Sequence, residues 1–519
     1  MRKLAEQMGV GYFDRPDNKG AKAGNLNHAM GLTSAPYIVT LDADMIPKSD
    51  FLLKTIPYFV DVEKRCSELP PEKRTSLGLL QTPQCFYNPD VFQHALYSER
   101  RSPNEQDFFY RSIEVAKTAT NSVIYGGSNT VLSRRALEAV GGFYTGSITE
   151  DFATGLLIES AGFISLAIPE PLASGVTPYS FKDHVKQRTR WGRGVIVTAR
   201  KLKLWRRKGL TLLQRINYWS SVFYWYSPIK NLVYMLAPLM FAAFAIPIFR
   251  CSWLELVMYW LPMFLMQEFS LRLVSGNRVS TKWSGIYETS VMWHMLIPIV
   301  KEALGITLST FKVTDKSGSA ARRKRDWRSM LPFLILIGLS VAGIIRVFLQ
   351  IRVLWSFGLL ILLFFIIRNL YFLMMAVFLV DGRDEDADPV HVDDAEPLVI
   401  RKDQEEQLQE GITTHLTEHS FSFFLDEEDV LQIGDRLTAV IHAENARADL
   451  TGVIISQLRS ASSGRSVYTM EILGFNTPEE EYLQILYDRV PTLPQNLNRD
   501  YDIFRHLWVN IANRLGKVK

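Results

Sequence analysis

The chain has 519 residues, 47% of them hydrophobic and 12% aromatic, and a formal net charge of +4. That length predicts two to four domains, and so small a charge excludes nucleic acid as a partner. Its three cysteines, Cys66, Cys85 and Cys251, fall at no metal-ligand or framework spacing, which excludes a disulfide scaffold and argues for a reducing compartment.

The opening stretch, Met1 to Gly9, reads neither as a signal peptide nor as a span. Residues 1–210 predict an α/β domain. Pro36–Asp42 is an apolar strand ending in carboxylates, Ser76–Thr82 and Ile164–Ile168 are further strands, and helical stretches lie between them. In open α/β sheets ligands sit at the carboxyl ends of strands, so the chemistry is expected at Asp42 and Asp44. A hard divalent cation such as Mg²⁺ (or Mn²⁺) binds through one or two carboxylates plus phosphates. A capping role for Asp44 at a strand-end turn is the plainer alternative. Lys22, flanked by Ala21, Ala23 and Gly24, offers an ammonium to a diphosphate that small neighbours let approach.

Thr149-Glu150-Asp151 supplies an acid able to take a proton. Acids in a first helical turn are also favoured by the helix dipole, and the two readings coincide here. Gln187-Arg188-Thr189-Arg190-Trp191 follows, with an indole face that stacks on pyranose rings and a guanidinium suited to diphosphate oxygens. An Arg-Trp pair beside a membrane also serves as an interfacial anchor. His28 and His94 have no metal-ligand spacing and read as structural.

Residues 211–380 form a membrane region. Apolar segments at about 217–247, 253–273, 329–350 and 353–380 are each near or above the ~20 residues a crossing needs. Residues 279–305 mix aromatics with charge and predict an interfacial helix. A loop containing Phe311-Lys312-Val313-Thr314-Asp315-Lys316 completes a segment of about 279–327. Basic runs at 200–208 and 322–325 mark the cytoplasmic side. Four crossings return the chain to that side. An acidic linker at 381–397 leads to 398–485, where alternating strands predict a small β-barrel. Residues 486–519 predict one amphipathic helix, and no internal repeats are present.

Taken together, these clusters resemble the catalytic subunits of bacterial cellulose synthases, processive membrane glycosyltransferases of family 2. The resembling run starts at Arg15-Pro16-Asp17-Asn18, continues through Lys22-Ala23-Gly24-Asn25-Leu26-Asn27 and ends at Phe311–Lys316, roughly the first two-thirds of the chain. The resemblance implies a multi-domain membrane protein: an α/β GT-A-like glycosyltransferase domain, an α-helical transmembrane region, and a C-terminal small β-barrel of the PilZ type. It implies an inverting enzyme of the plasma (inner) membrane that polymerises glucose from UDP-glucose into β-1,4-glucan and translocates the growing chain across the bilayer. Asp151 would be the base and Glu150 its neighbour. Lys22, Asp42, Gln187, Arg190 and Trp191 would bind substrate, and Asp44 with Asp42 the metal. Phe311, Val313, Thr314 and Lys316 would belong to a gating loop over the nucleotide-sugar. The catalytic and barrel domains would be cytoplasmic, with a periplasmic accessory subunit as partner. In the family, the position of Met1 falls inside the catalytic domain, so the resemblance also implies a domain without its beginning.

Two departures qualify that expectation. Ile124-Tyr125-Gly126-Gly127-Ser128-Asn129 stands where many relatives carry a phenylalanine-cysteine version. The sensor motifs for cyclic di-GMP are eroded: Arg401 and Ser420 remain, while Glu405 replaces an arginine and Phe423 a glycine. The barrel is therefore expected to be structural or partner-docking. The alternatives are a synthase of another β-linked polysaccharide (hyaluronan-like, mixed-linkage or β-1,3-glucan) and a truncated non-catalytic subunit.

Overall fold

The computed structural model describes the chain except residues 1, 71–73, 100, 179, 248–251, 277–278, 307–324, 354–355, 384–389, 391, 403–406, 426–430, 460–464, 490–502 and 517–519. The expected loop residues Phe311, Val313, Thr314 and Lys316 lie outside the described residues, as does Glu405.

The α/β domain is built on a four-stranded sheet of β1 (Tyr37–Thr40), β3 (Leu77–Gln81), β5 (Thr130–Ser133) and β6 (Ile164–Ala167), in the order β1-β5-β3-β6. Strand β5 runs antiparallel to both β1 and β3, whereas β3 and β6 are parallel. A smaller sheet joins β2 (Ile46–Pro47), β7 (Ala173–Gly175) and β4 (Cys85–Phe86). Successive strand side chains point to opposite faces, and an irregularity in register between Leu77 and Leu79 shifts that alternation, so β3 feeds two cores. Leu79 packs with Leu132, Ala23 and Leu137 on one side. Leu77 and Leu80 pack with Val131, Phe51 and Phe59 on the other. Every residue of β3 is buried, which is why it reads as a continuous apolar run.

The helical region departs from the expected segments in two ways. The first apolar stretch breaks into Leu212–Tyr224 and Ser227–Phe244. Thr211 and Gln214 close a capping box on the first helix, and Pro228 opens the second, where its missing N–H costs nothing. Among the described residues, three helices are long and apolar enough to cross a membrane: Ser227–Phe244, Trp327–Val353 and Phe357–Asp381. The expected span at 253–273 does form a helix, Trp253–Val274, but its Glu255, Glu268 and Arg272 lower its apolar character. The helix Thr281–Ala303 fills the expected interfacial segment. It packs through Trp283, Ile286 and Ile299 into the protein rather than lying free on it.

Six strands then close a barrel: β8 (Pro397–Lys402), β9 (Leu408–Leu416), β10 (Ser420–Leu425), β11 (Arg436–His442), β12 (Arg447–Arg459) and β13 (Ser466–Phe475). A helix Glu479–Tyr487 follows the last strand, and within the expected tail the described residues form one helix, Ile503–Arg514. Both contact the rest of the molecule. The Tyr87 hydroxyl donates to the Tyr487 carbonyl at 3.0 Å, and the Asp488 carboxylate accepts from the Ser49 N–H at 2.7 Å. Arg514 donates to the carbonyls of Ala95 and Phe378, both at 2.8 Å. The barrel and tail therefore sit on the α/β domain and on the end of the last apolar helix.

Candidate active site

Three of the expected clusters meet at the carboxyl end of β1. Lys22 lies in the first turn of the helix Ala21–Gly31. The turn before it is latched by Arg15, which donates to Asn25 Oδ1 at 2.8 Å and to the Lys19 carbonyl at 2.9 Å. Gly24 is required there, because a Cβ would stand 2.2 Å from the Lys19 carbonyl oxygen. Lys22 Nζ reaches Asp42 Oδ1 at 2.5 Å and the Gly127 carbonyl at 2.8 Å. Asp42 is also fixed through its N–H, which donates to Ser128 Oγ at 2.9 Å.

The loop Gly126–Asn129 is the hub of the site. Gln81, at the end of β3, grips it at both ends: its Oε1 accepts from the Gly126 N–H at 2.8 Å and its Nε2 donates to the Ser128 carbonyl at 2.9 Å. Gly127 takes φ +80°, and a Cβ there would stand 2.6 Å from Asp151 Oδ2. Asp151 heads the helix Glu150–Ser160, and its Oδ1 accepts from the Phe152 N–H at 2.7 Å. Protein packed around the Asp151 carboxyl pushes its pKa up, against the pull of Lys22 and Arg190. Burial, and then the neighbouring Asp151, push Glu150 up to about 7. Lys22, Asp42, Glu150, Asp151 and Arg190 thus share one electrostatic site.

The helix Phe181–Lys201 carries Gln187, Arg190 and Trp191. It approaches the Thr149 turn closely because Gly194 has no side chain: a Cβ would lie 2.4 Å from Thr149 Cγ2. Thr198 and Thr149 hydroxyls meet at 3.1 Å across the same contact. Gln187 is buried, while Arg190 and Trp191 are half-buried. Arg188 stacks over the Trp191 ring at 4.8 Å and is ion-paired to Glu105. Farther along, Arg193 and Arg200 both reach the fully buried Glu302, at 3.2 and 3.0 Å, tying this helix to Thr281–Ala303. The sequence singled out none of Gln81, Glu105 and Glu302. Only the Gly-Gly-Ser-Asn turn offered a signal for the hub.

Asp44 is half-buried, two residues beyond Asp42. Among the described residues no group of three or more His, Cys, Asp or Glu could hold a metal alone. A pair of carboxylates on the accessible end of a strand nevertheless fits a cation that takes its other ligands from phosphates and water. The Lys22 ammonium holds Asp42 Oδ1 there, so a cation would have to share that carboxylate with Lys22 or displace it.

Between the apolar helices lies a cavity of about 1200 Å³. Its lining mixes Lys230, Asn231 and Glu288 with Trp260, Phe365 and Arg368. Glu288 accepts from Asn231 at 2.7 Å and pairs with Lys230 at 3.2 Å.

The two remnants of the nucleotide-sensing motif are not brought together. Arg401 on β8 pairs with Leu408 at the start of β9, whereas Leu416 at the end of β9 pairs with Phe421, next to Ser420. Eight residues of strand separate them, on the order of 25 Å. Phe423, in the glycine position of that motif, does not face a surface ligand. Its ring is fully buried in the barrel core, 5.6 Å from Phe421 and 5.8 Å from Tyr468.

Residues 37–271 match the family model described as Glycosyl transferase family group 2. That matched region holds the mixed sheet and the strand-end acids, and the chain continues into membrane-length helices and a closed barrel. The chain is 32% identical over 343 residues to the cellulose synthase catalytic subunit (UDP-forming) of Pseudomonas fluorescens, covering 66% of this chain and 45% of that one. It is 33% identical over 345 residues to the cellulose synthase 1 catalytic subunit (UDP-forming) of Komagataeibacter xylinus, again covering 66% and 45%. The chain thus spans about 45% of the length of these two curated relatives.

Proposed function

We propose that this chain carries the catalytic core of a processive, inverting glycosyltransferase that builds β-1,4-glucan from UDP-glucose and passes it through the membrane. The observation that carries the reading is the convergence of Lys22, Asp42 and Asp151, from three separate segments, on one loop, with Arg190 acting electrostatically on Asp151. The acceptor hydroxyl attacks the anomeric carbon while Asp151 takes its proton, a role suited to a carboxylate made more basic by burial. The bond from that carbon to the diphosphate breaks on the opposite face, and UDP leaves with the electron pair. Lys22 and Arg190 receive the departing charge. Trp191 offers its indole face to the terminal sugar, backed by Arg188. Asp42 and Asp44 would hold a divalent ion, Mg²⁺ or Mn²⁺, whose charge would offset that of the diphosphate. Phe311, Val313, Thr314 and Lys316 remain candidates for a loop that excludes water from the donor.

The cavity between the apolar helices suits the product. Polar and ionisable groups at membrane depth mark a transport path by default, and aromatic faces suit sugar rings. The crossings follow from parity. The barrel touches the α/β domain, so both lie on one side of the bilayer and the chain between them crosses an even number of times. Three apolar helices leave one crossing to find. Trp253–Val274, 22 residues long and with no buried residue, is the candidate for the fourth, its Glu268 and Arg272 paired to each other at 3.0 Å near one end. The basic run at 200–208 then makes the shared side cytoplasmic. A periplasmic accessory subunit would receive the polymer. The separated remnants Arg401 and Ser420 support a barrel that docks on its own catalytic domain and does not respond to cyclic di-GMP.

The test is incorporation of radiolabelled glucose from UDP-glucose by membranes containing the chain, with Mg²⁺, with and without cyclic di-GMP, beside Asp151→Asn. The expected product is digested by a cellulase, is unaffected by cyclic di-GMP, and is lost by 10²–10⁴-fold in the variant. A product resistant to cellulase would point to another β-glycan. No product from any common UDP-sugar would reject the catalytic reading.

A further inference from the structure

A second, smaller cleft lies away from the catalytic loop, where the chain leaves the helix Phe181–Lys201 for the membrane. We propose that this cleft, lined by Lys203, Arg206, Arg207 and Lys208, is a headgroup site for an anionic phospholipid of the cytoplasmic leaflet. The cleft has a volume of about 520 Å³, room for a phosphodiester headgroup, and no carboxylate occurs among the described residues that line it. Its far wall is the end of the helix Glu150–Ser160, contributed by Leu157, Ser160 and Ala161.

The plainer explanation for four basic residues here is that they complement the negative end of that helix. Arg207 does so: its Nε lies 3.4 Å from Ser160 Oγ, and its carbonyl accepts from Arg215 at 2.9 Å. The other three do not. Lys203, Arg206 and Lys208 are exposed, and among the described residues none has an acidic partner. Three uncompensated cations on one rim are a charge surplus that the fold itself does not use.

What sets the depth of this rim is the next helix, Leu212–Tyr224. Its exposed apolar residues are Leu212, Leu213, Ile216, Phe223 and Tyr224, each 48–63% exposed. At 3.6 residues per turn all five fall within an arc of about 120°. Its buried residues Gln214, Tyr218 and Val222 fall on the opposite side. An apolar stripe of that width, on a helix that runs into the span Ser227–Phe244, lies in the headgroup–acyl boundary with basic residues beside it. Trp205, 52% exposed within the basic run, supplies an interfacial ring. A lipid seated here would place its acyl chains against the stripe and its phosphodiester in the cleft. The inference rests on the membrane placement proposed above and not on sugar transfer, so either can fail without the other.

The full chain in neutral detergent micelles would be titrated with dioctanoyl phosphatidylglycerol, dioctanoyl phosphatidylcholine and inorganic phosphate, with bound lipid counted by native mass spectrometry. The wild type is expected to prefer phosphatidylglycerol over phosphatidylcholine by at least tenfold. The triple variant Lys203→Gln/Arg206→Gln/Lys208→Gln should lose about fivefold in phosphatidylglycerol affinity per charge removed, while Lys64→Gln/Arg436→Gln, which removes exposed cations elsewhere, keeps the wild-type preference. Equal binding of the two lipids, or an unchanged preference in the triple variant, would overturn the proposal. So would displacement of the lipid by inorganic phosphate at the same concentration, which would make the site one for a soluble anion.

Discussion

Replacing Gly127 by alanine tests the idea that one glycine sets the position of the base. Two effects follow from the geometry. The residue sits at φ +80°, a conformation that costs a residue with a Cβ roughly 1–2 kcal/mol. The new Cβ would also stand 2.6 Å from Asp151 Oδ2, and ordinary contact begins near 3.4 Å, so the carboxylate must retreat by 3.4 − 2.6 = 0.8 Å. Misplacing a reacting group by about 1 Å lowers turnover on the order of 100-fold. Gly141 separates the two effects. It takes φ +83°, and nothing lies within 4 Å of where its Cβ would be. Gly141→Ala should therefore lose stability to a similar degree and keep its turnover. The assay is glucose incorporation per unit of folded protein, with the thermal midpoint of each variant measured in parallel. Turnover in Gly127→Ala within threefold of that in Gly141→Ala would refute the argument.

Glu150 makes stability depend on pH. Its pKa is about 7 in the folded chain against an ordinary value near 4.3 when unfolded, so the folded state holds the proton more tightly. The resulting stability is complete below the unfolded value and is lost as pH rises through about 7. The thermal midpoint should fall between pH 5 and pH 8, and Glu150→Gln should flatten that fall; an identical slope would exclude the assignment. Glu302→Ala leaves Arg193 and Arg200 without their shared carboxylate. Breaking a buried pair costs about 3–5 kcal/mol, and Arg200, 45% exposed, can turn to water, so a loss near the lower figure is expected in denaturant unfolding. Arg188→Ala removes the cation stacked on Trp191, worth ~1 kcal/mol. It should raise KM for a cello-oligosaccharide acceptor about fivefold and leave KM for UDP-glucose alone; the reverse pattern would show that Arg188 serves the donor.

Much of the fold was legible because burial leaves a period in the sequence. Strands at 37–40, 77–81 and 164–167 lie inside the expected runs, and the barrel follows its alternation. Strand β5 was not foreseen: Thr130–Ser133 is four residues long, and only its pairing with β1 and β3 identifies it. The first apolar stretch read as one long segment of uncertain ends, holding Pro228 and Pro238, and the break falls between Tyr224 and Ser227, just ahead of Pro228.

The site divides along a similar line. Lys22, Asp42, Asp151, Arg190 and Trp191 were singled out by their side-chain chemistry, and the fold brings the first three onto one loop. What holds them there was not readable, because it depends on residues that do nothing chemical alone. Gly194 matters only through Thr149, and Gly127 only through Asp151. Glu105 matters only through Arg188, 83 positions away. Arg401 and Ser420 show the converse. Both have the right chemistry for a phosphate-bearing ligand, yet the register of β9 sets them at opposite ends of a strand. Residue type therefore nominates a site, and the close contacts of small residues decide whether one exists. By that measure the close contacts at Gly24, Gly127 and Gly194 support the proposed catalytic site, and the barrel remnants have no comparable support.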